Sequence, residues 1–148
     1  MTQDLYRLIY LSRNKITASD EIIHKEIEQI LAISRQHNSA ARITGALMFN
    51  KKCFAQILEG SHDSIQETFE RIQCDPRHSN VVVLSFEPVQ TRRFTQWSMA
   101  YIGHETSASK EFTQIQKQSG FDPSRVTGER IYDLLQMQLH AAEEAIAN

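Results

Sequence analysis

The sequence predicts an α+β fold with two helices on one face of a mainly antiparallel sheet. Three observations carry this. Strand-like and helix-like runs follow one another in the order β-α-β-β-α-β-β. Two of the strands are separated only by Asn50-Lys51-Lys52, the length and polarity of a hairpin link. Each helical run carries one apolar stripe, whereas the strands are apolar on both sides, so both faces of the sheet need cover.

The elements follow in order. "LYRLIYLS" (Leu5–Ser12) is rich in β-formers and reads as the first strand. Thr17 and Ser19 offer N-caps for a helix through "DEIIHKEIEQILAISRQ", with Ile23, Ile27, Ile30 and Leu31 at helical spacing. "HNSAAR" reads as a loop. "ITGALMFN" and "CFAQILEG" are the hairpin strands. Ser61 can cap a second helix, "HDSIQETFERIQ", with Ile65, Phe69 and Ile72 on one side, and "DPRHSN" breaks it. "VVVLSFEPV" (Val81–Val89) is a strand; after the polar link "QTRRFTQ", "WSMAYI" (Trp97–Ile102) is a shorter one.

This is the ferredoxin-like βαββαβ order with an added strand, predicting a five-stranded mixed sheet. Tyr6, Leu8 and Tyr10 share one face of the first strand; Phe54, Gln56 and Leu58 share one face of the third. Cover for the opposite face is expected from the C-terminal part: a short helix around Glu111–Gln118, a break at "SGFDPS", and a helix from Glu129 to Ala147. The last carries Ile131, Leu134, Leu135, Leu139, Ala142 and Ile146. Residues 1–103 are expected to form the main domain and 104–148 a helical extension, packed on it or making a subunit contact.

The totals narrow the function. A chain of 148 residues is the usual size of one domain, with 41% hydrophobic and 23% charged residues, as in ordinary globular proteins. A formal net charge of −2 supplies no basic field, so nucleic acid is not expected as a partner. No apolar run approaches the ~20 residues of a membrane helix, and no signal peptide is legible; a cytoplasmic location without membrane contact is expected. Cys53 and Cys74 read as small buried hydrophobes, and the histidines do not cluster as ligands, so no metal is expected. Phosphate-binding glycine loops and the G-x-S-x-G elbow are missing from the sequence, and nothing points to an enzyme.

The polar residues that stand out are Tyr10, Asn38, Gln56 and the Trp97-Ser98-Met99 run. Singly, each has a plain structural reading: Tyr10, Trp97 and Met99 as packing, Asn38 as a helix cap, Gln56 bonded to a loop. Jointly they say more. In the strand order 4-1-3-2 the first and third strands are neighbours, so Tyr10 and Gln56 can meet on the helix-covered side. A buried amide left without partners costs roughly 1–3 kcal/mol.

With "LYRLIYLSR", "SRQHNSAARITGALMF", "FAQILEG", "RIQCDPRHSNVVVL" and "RRFTQWSMAYI" in view, residues Leu5 to Gly103 resemble the BLUF domain, a blue-light sensor that uses FAD. The resemblance implies a flavin between the two helices. Tyr10 matches the photoactive tyrosine, and Gln56 the glutamine between it and the ring. Asn38 matches the asparagine on the ring's carbonyl and imide edge, and His37 a position beside the ring. Arg71, Asp75 and His78 match polar positions near the ring and its ribityl-phosphate arm. Ile43 and Ile72 match aliphatic residues flanking it. Trp97 and Met99 match the last-strand pair that responds to the glutamine. No motif reads an adenine, which leaves FMN and riboflavin open. The family often has glycine immediately before "ITG"; Arg42 stands there, implying a different loop conformation or a changed contact near the flavin tail.

The implied chemistry is light-driven electron and proton transfer from tyrosine, followed by rearrangement of the glutamine's hydrogen bonds. Output is expected through an unidentified downstream protein or through altered self-association as a homo-oligomer. The alternative is a ferredoxin-like protein-interaction domain without photochemistry. A third reading, a phosphatase using Arg13 and Asn38, lacks a phosphate-cradling loop beside Arg13.

Overall fold

The computed structural model describes residues 5–14, 20–49, 53–75, 78–94, 100–102 and 128–147. The hairpin link, the helix expected at Glu111–Gln118, and Trp97 and Met99 lie outside the described residues, as does the His78 side chain.

The elements are β1 (Leu5–Asn14), α1 (Asp20–Ala41), β2 (Thr44–Phe49), β3 (Cys53–Ser61), α2 (His62–Gln73), β4 (His78–Pro88), β5 (Ala100–Ile102) and α3 (Gly128–Ala147). The class is α+β. Four strands pair antiparallel in the order β4-β1-β3-β2, and β5 runs parallel to β2. Gly45, of the "ITG" run, lets β2 approach β3: a Cβ there would lie 1.9 Å from the Ile57 carbonyl oxygen.

Period-two alternation sorts β3 onto two cores. Phe54 and Leu58 join Leu8, Tyr10, Ile27, Ile30, Leu31 and Ile65 under α1 and α2. Ala55 and Ile57 join Ile9, Met48 and Phe94 under α3, which contributes Ile131, Leu134 and Leu135. The apolar second face thus has α3 as cover. Ser61 caps α2 as its sequence indicates, its side chain accepting the Ser64 N–H at 3.2 Å.

Three features differ from the sequence reading. "HNSAAR" is helical up to Ala41, because Asn38 is buried rather than solvated and Ala40-Ala41 favour continuation. β4 begins at His78, inside the expected break, because the long β1 supplies partners: Arg13 faces Ser79 and Asn14 faces His78. Cys74 is exposed, since it forms the C-cap of α2 and not part of a core.

Candidate functional site

Tyr10 and Gln56 are direct register partners on adjacent strands. Tyr10 is fully buried and Gln56 nearly so. The Tyr10 hydroxyl donates to Gln56 Oε1. The β1–β4 pairing shifts register between Ile9 and Tyr10, a bulge of the kind that re-aims a side chain. The Tyr10 ring also packs against Phe69 of α2, with centroids 5.5 Å apart. Burial, joined by the negative charge of Asp75, pushes the Tyr10 phenol far above the usual tyrosine range. Tyr10 is therefore a neutral donor in its resting state.

Gln56 opens onto a cleft between α1 and α2 of ≈ 190 Å³. The cleft suits a planar ring system held between the helices; a longer ligand would have to extend past the rim. Ile30 and Ile33 of α1, Ile72 of α2 and Leu47 of β2 supply apolar walls. The polar lining is two amides, Asn38 and Gln56, with Ser34, His37, Thr68, Arg71 and Asp75. Amides present donors and acceptors together, which complements the edge of a heterocycle bearing carbonyl and imide groups.

Across the cleft, α1 and α2 are linked by a short polar chain. The Thr68 hydroxyl donates to the Ser64 carbonyl at 2.8 Å, so its oxygen accepts from His37 Nε2 at 3.0 Å. His37 Nδ1 then accepts from Arg71 Nη1. The pattern assigns the Nε2–H tautomer to His37 and leaves Arg71, which is exposed, at the rim.

The structure thus brings together Tyr10, His37, Asn38, Gln56, Arg71, Ile72 and Asp75. Ile43 is not at the cleft; it is buried in the helix-side core, and its N–H donates to the Asn38 carbonyl at 2.8 Å. The residues that sequence reasoning missed are Ile30, Ile33, Ser34, Leu47 and Thr68. Thr68 had a signal: it interrupts the stripe of Ile65, Phe69 and Ile72. Ser34 had another, one turn before His37 and Asn38 on α1.

A family model described as sensors of blue-light using FAD, BLUF, matches residues 5–100. The chain belongs to the BLUF family. The blue light- and temperature-regulated antirepressor BluF of Escherichia coli (strain K12) is 36% identical over 95 residues, which are 64% of this chain and 23% of that protein. Photoactivated adenylate cyclase subunit beta of Euglena longa is 29% identical over 96 residues, 65% of this chain and 11% of the cyclase subunit. The chain thus spans under a quarter of the length of these two BLUF relatives. A solved structure, the dark state of BlrB, a BLUF protein, superposes with a TM-score of 0.73 at 29% identity, covering 96% of this chain and 99% of that one. Among the described residues no helix is long and apolar enough to cross a membrane. The cleft's paired amides, apolar walls and rim arginine fit the ring of the flavin that the family uses.

Proposed function

We propose that this chain is a blue-light receptor in which Tyr10 and Gln56 form the switch. The observation that carries the reading is the buried Tyr10 hydroxyl seated on the Gln56 amide, which itself lines the cleft. Asn38 and Gln56 would hold the ring's polar edge, Ile72 would flank it, and His37, Arg71 and Asp75 would face its rim and phosphate arm. His78, Trp97 and Met99 are assigned by resemblance alone. Bound flavin supplies a blue-light-absorbing group that oxidises strongly once excited.

The chain's own residues do the rest. A neutral phenol becomes strongly acidic on losing an electron, and its existing hydrogen bond gives the proton a route from the Tyr10 oxygen to Gln56 Oε1. When electron and proton return, Gln56 is left rotated or tautomerised, with donor and acceptor ends exchanged. The dark arrangement, with Oε1 on Tyr10, leaves the amide nitrogen directed elsewhere; the switched one reverses this. The apolar, buried surroundings strengthen whichever bonds are made.

We read the fold as ferredoxin-like with β5 added. Residues 1–103 form the flavin domain, and 104–148 an extension that carries the signal to a partner protein or to a second copy in the cytoplasm. The relatives' names, an antirepressor and a photoactivated cyclase subunit, support a light sensor that drives an effector.

An absorption spectrum of the FAD-loaded chain before and after blue light tests this. A reversible red shift is expected. Gln56→Leu and Tyr10→Phe should each retain flavin and lose the shift. A normal photocycle in either variant refutes the assigned roles.

A further inference from the structure

The "F-x-Q-x-L-E-G" run holds one residue that the photochemical site does not use. Glu59 follows Gln56 by three positions, about 10 Å along the strand at ~3.3 Å per residue, and points to the opposite face. It is completely buried. Arg7 of β1 donates to Oε2 from Nε at 2.9 Å and from Nη2 at 2.7 Å. The backbone N–H groups of Arg93 and Phe94 donate to Oε1 at 2.9 and 2.8 Å, two successive amides cradling one carboxylate oxygen. The Glu59 carbonyl accepts from Arg92 Nη1 at 2.9 Å, and the same guanidinium reaches Thr44 of β2 and the Arg42 carbonyl.

These contacts lead to α3. The Arg7 guanidinium lies 4.5 Å from the centroid of the Tyr132 ring, and Phe94 meets Tyr132 edge-on with centroids 6.4 Å apart. One carboxylate on the switch strand thus fixes both groups, Arg7 and Phe94, that touch the same aromatic ring of α3.

We propose that Glu59 is a positioning residue that couples β3 to α3, so that rearrangement at Gln56 on one face is felt at Tyr132 on the other. This rests on the photoreceptor reading above. The coupling is mechanical: a small shift of β3 moves the carboxylate, and Arg7 and the 93–94 backbone follow, because every acceptor position on Glu59 is engaged. Glutamine in its place keeps the shape but turns an N–H₂ toward donors, so one side of the clamp opens.

The test uses the FAD-loaded full chain and two readouts: the blue-light red shift and light-minus-dark amide hydrogen exchange across Gly128–Ala147. The unsubstituted chain should show both. Glu59→Gln should keep the red shift at its normal amplitude, and its light-dependent change of exchange in α3 should fall at least five-fold. Tyr132→Leu leaves the Glu59–Arg7 pair in place and should behave the same way, which keeps the test open if Glu59→Gln folds poorly. A full α3 response in Glu59→Gln or Tyr132→Leu overturns the proposal. So does a red shift in the unsubstituted chain with α3 unchanged. Absence of any red shift in that chain refutes the photoreceptor reading itself.

Discussion

Gln56 and Glu59 sit three residues apart on β3, face opposite sides of the sheet, and each places a polar group in an apolar layer. Glu59 is charged and surrounded by fixed donors from β1 and from the backbone of residues 93–94. Gln56 is neutral, shares a hydrogen bond with a neutral phenol, and borders a cleft. The charged site resists change, because its carboxylate is stable in one arrangement only. The amide can exchange its ends at little cost, because both ends form bonds of similar strength. A switch belongs on the second kind of site, and a transmitter on the first.

Removing the charged partner should therefore produce the largest loss of stability. Glu59→Ala leaves Arg7 beneath Tyr132 without its carboxylate, and the backbone N–H groups of half-buried Arg93 and buried Phe94 without this acceptor. Breaking a buried pair in this way costs about 3–5 kcal/mol. Urea unfolding should show a loss in that range. A loss below about 1 kcal/mol, the range of surface pairs, would mean that the clamp is solvated in solution and that the contrast between the two faces is wrong.

Next in size is a pH effect on the other face. The Tyr10 phenol is raised above its ordinary value, first by burial and then by Asp75. Above about pH 10 the unfolded chain has released this proton and the folded chain still holds it. The unfolded state then binds fewer protons, so stability falls as pH rises, by about 1.4 kcal/mol per pH unit from this group. Below pH 10 both states keep the proton and the contribution is flat. Tyr10→Phe should remove that part of the slope between pH 10 and 11 at equal flavin loading. Equal slopes in the two proteins would show that Tyr10 ionises freely and that the phenol is not sealed in its layer.

The two faces also differ in how legible they were. Tyr10 and Gln56 were readable because strand alternation puts a polar residue on a known face and the fold makes β1 and β3 neighbours; the register then pairs them directly. His37, Asn38, Arg71, Ile72 and Asp75 reached the cleft because they lie near the C-terminal ends of α1 and α2, where small boundary errors do not change the face. Ile43, expected beside the ring, is buried in the helix-side core next to Asn38, whose carbonyl takes its N–H. The Glu59 clamp was not legible at all. Its partners are 52 residues away at Arg7 and 34 to 35 away at Arg93 and Phe94, and two of its donors are backbone groups that carry no sequence signal.

The smallest predicted effect tests the point where the two faces are tied. Arg42 joins α1 to β2 with φ at 57°, the left-handed region, and its carbonyl accepts from Arg92 Nη2 at 2.7 Å. The sequence led to the expectation of a different loop conformation or a changed contact near the flavin tail; the backbone at this position adopts the conformation that glycine takes most easily, with arginine in it. A residue with a side chain bears about 1–2 kcal/mol of strain there. Glycine would relieve it but would lose about 0.5–1 kcal/mol through the greater freedom of its unfolded chain. Arg42→Gly should thus stabilise by about 0.5–1 kcal/mol, and at 148 residues raise Tm by about 2 °C. The Arg92 contact uses the carbonyl and should survive, so the red shift should keep its amplitude. A fall in Tm would show that the Arg42 side chain makes a contact worth more than the strain it imposes, and would move the joint between the faces from the backbone to that side chain.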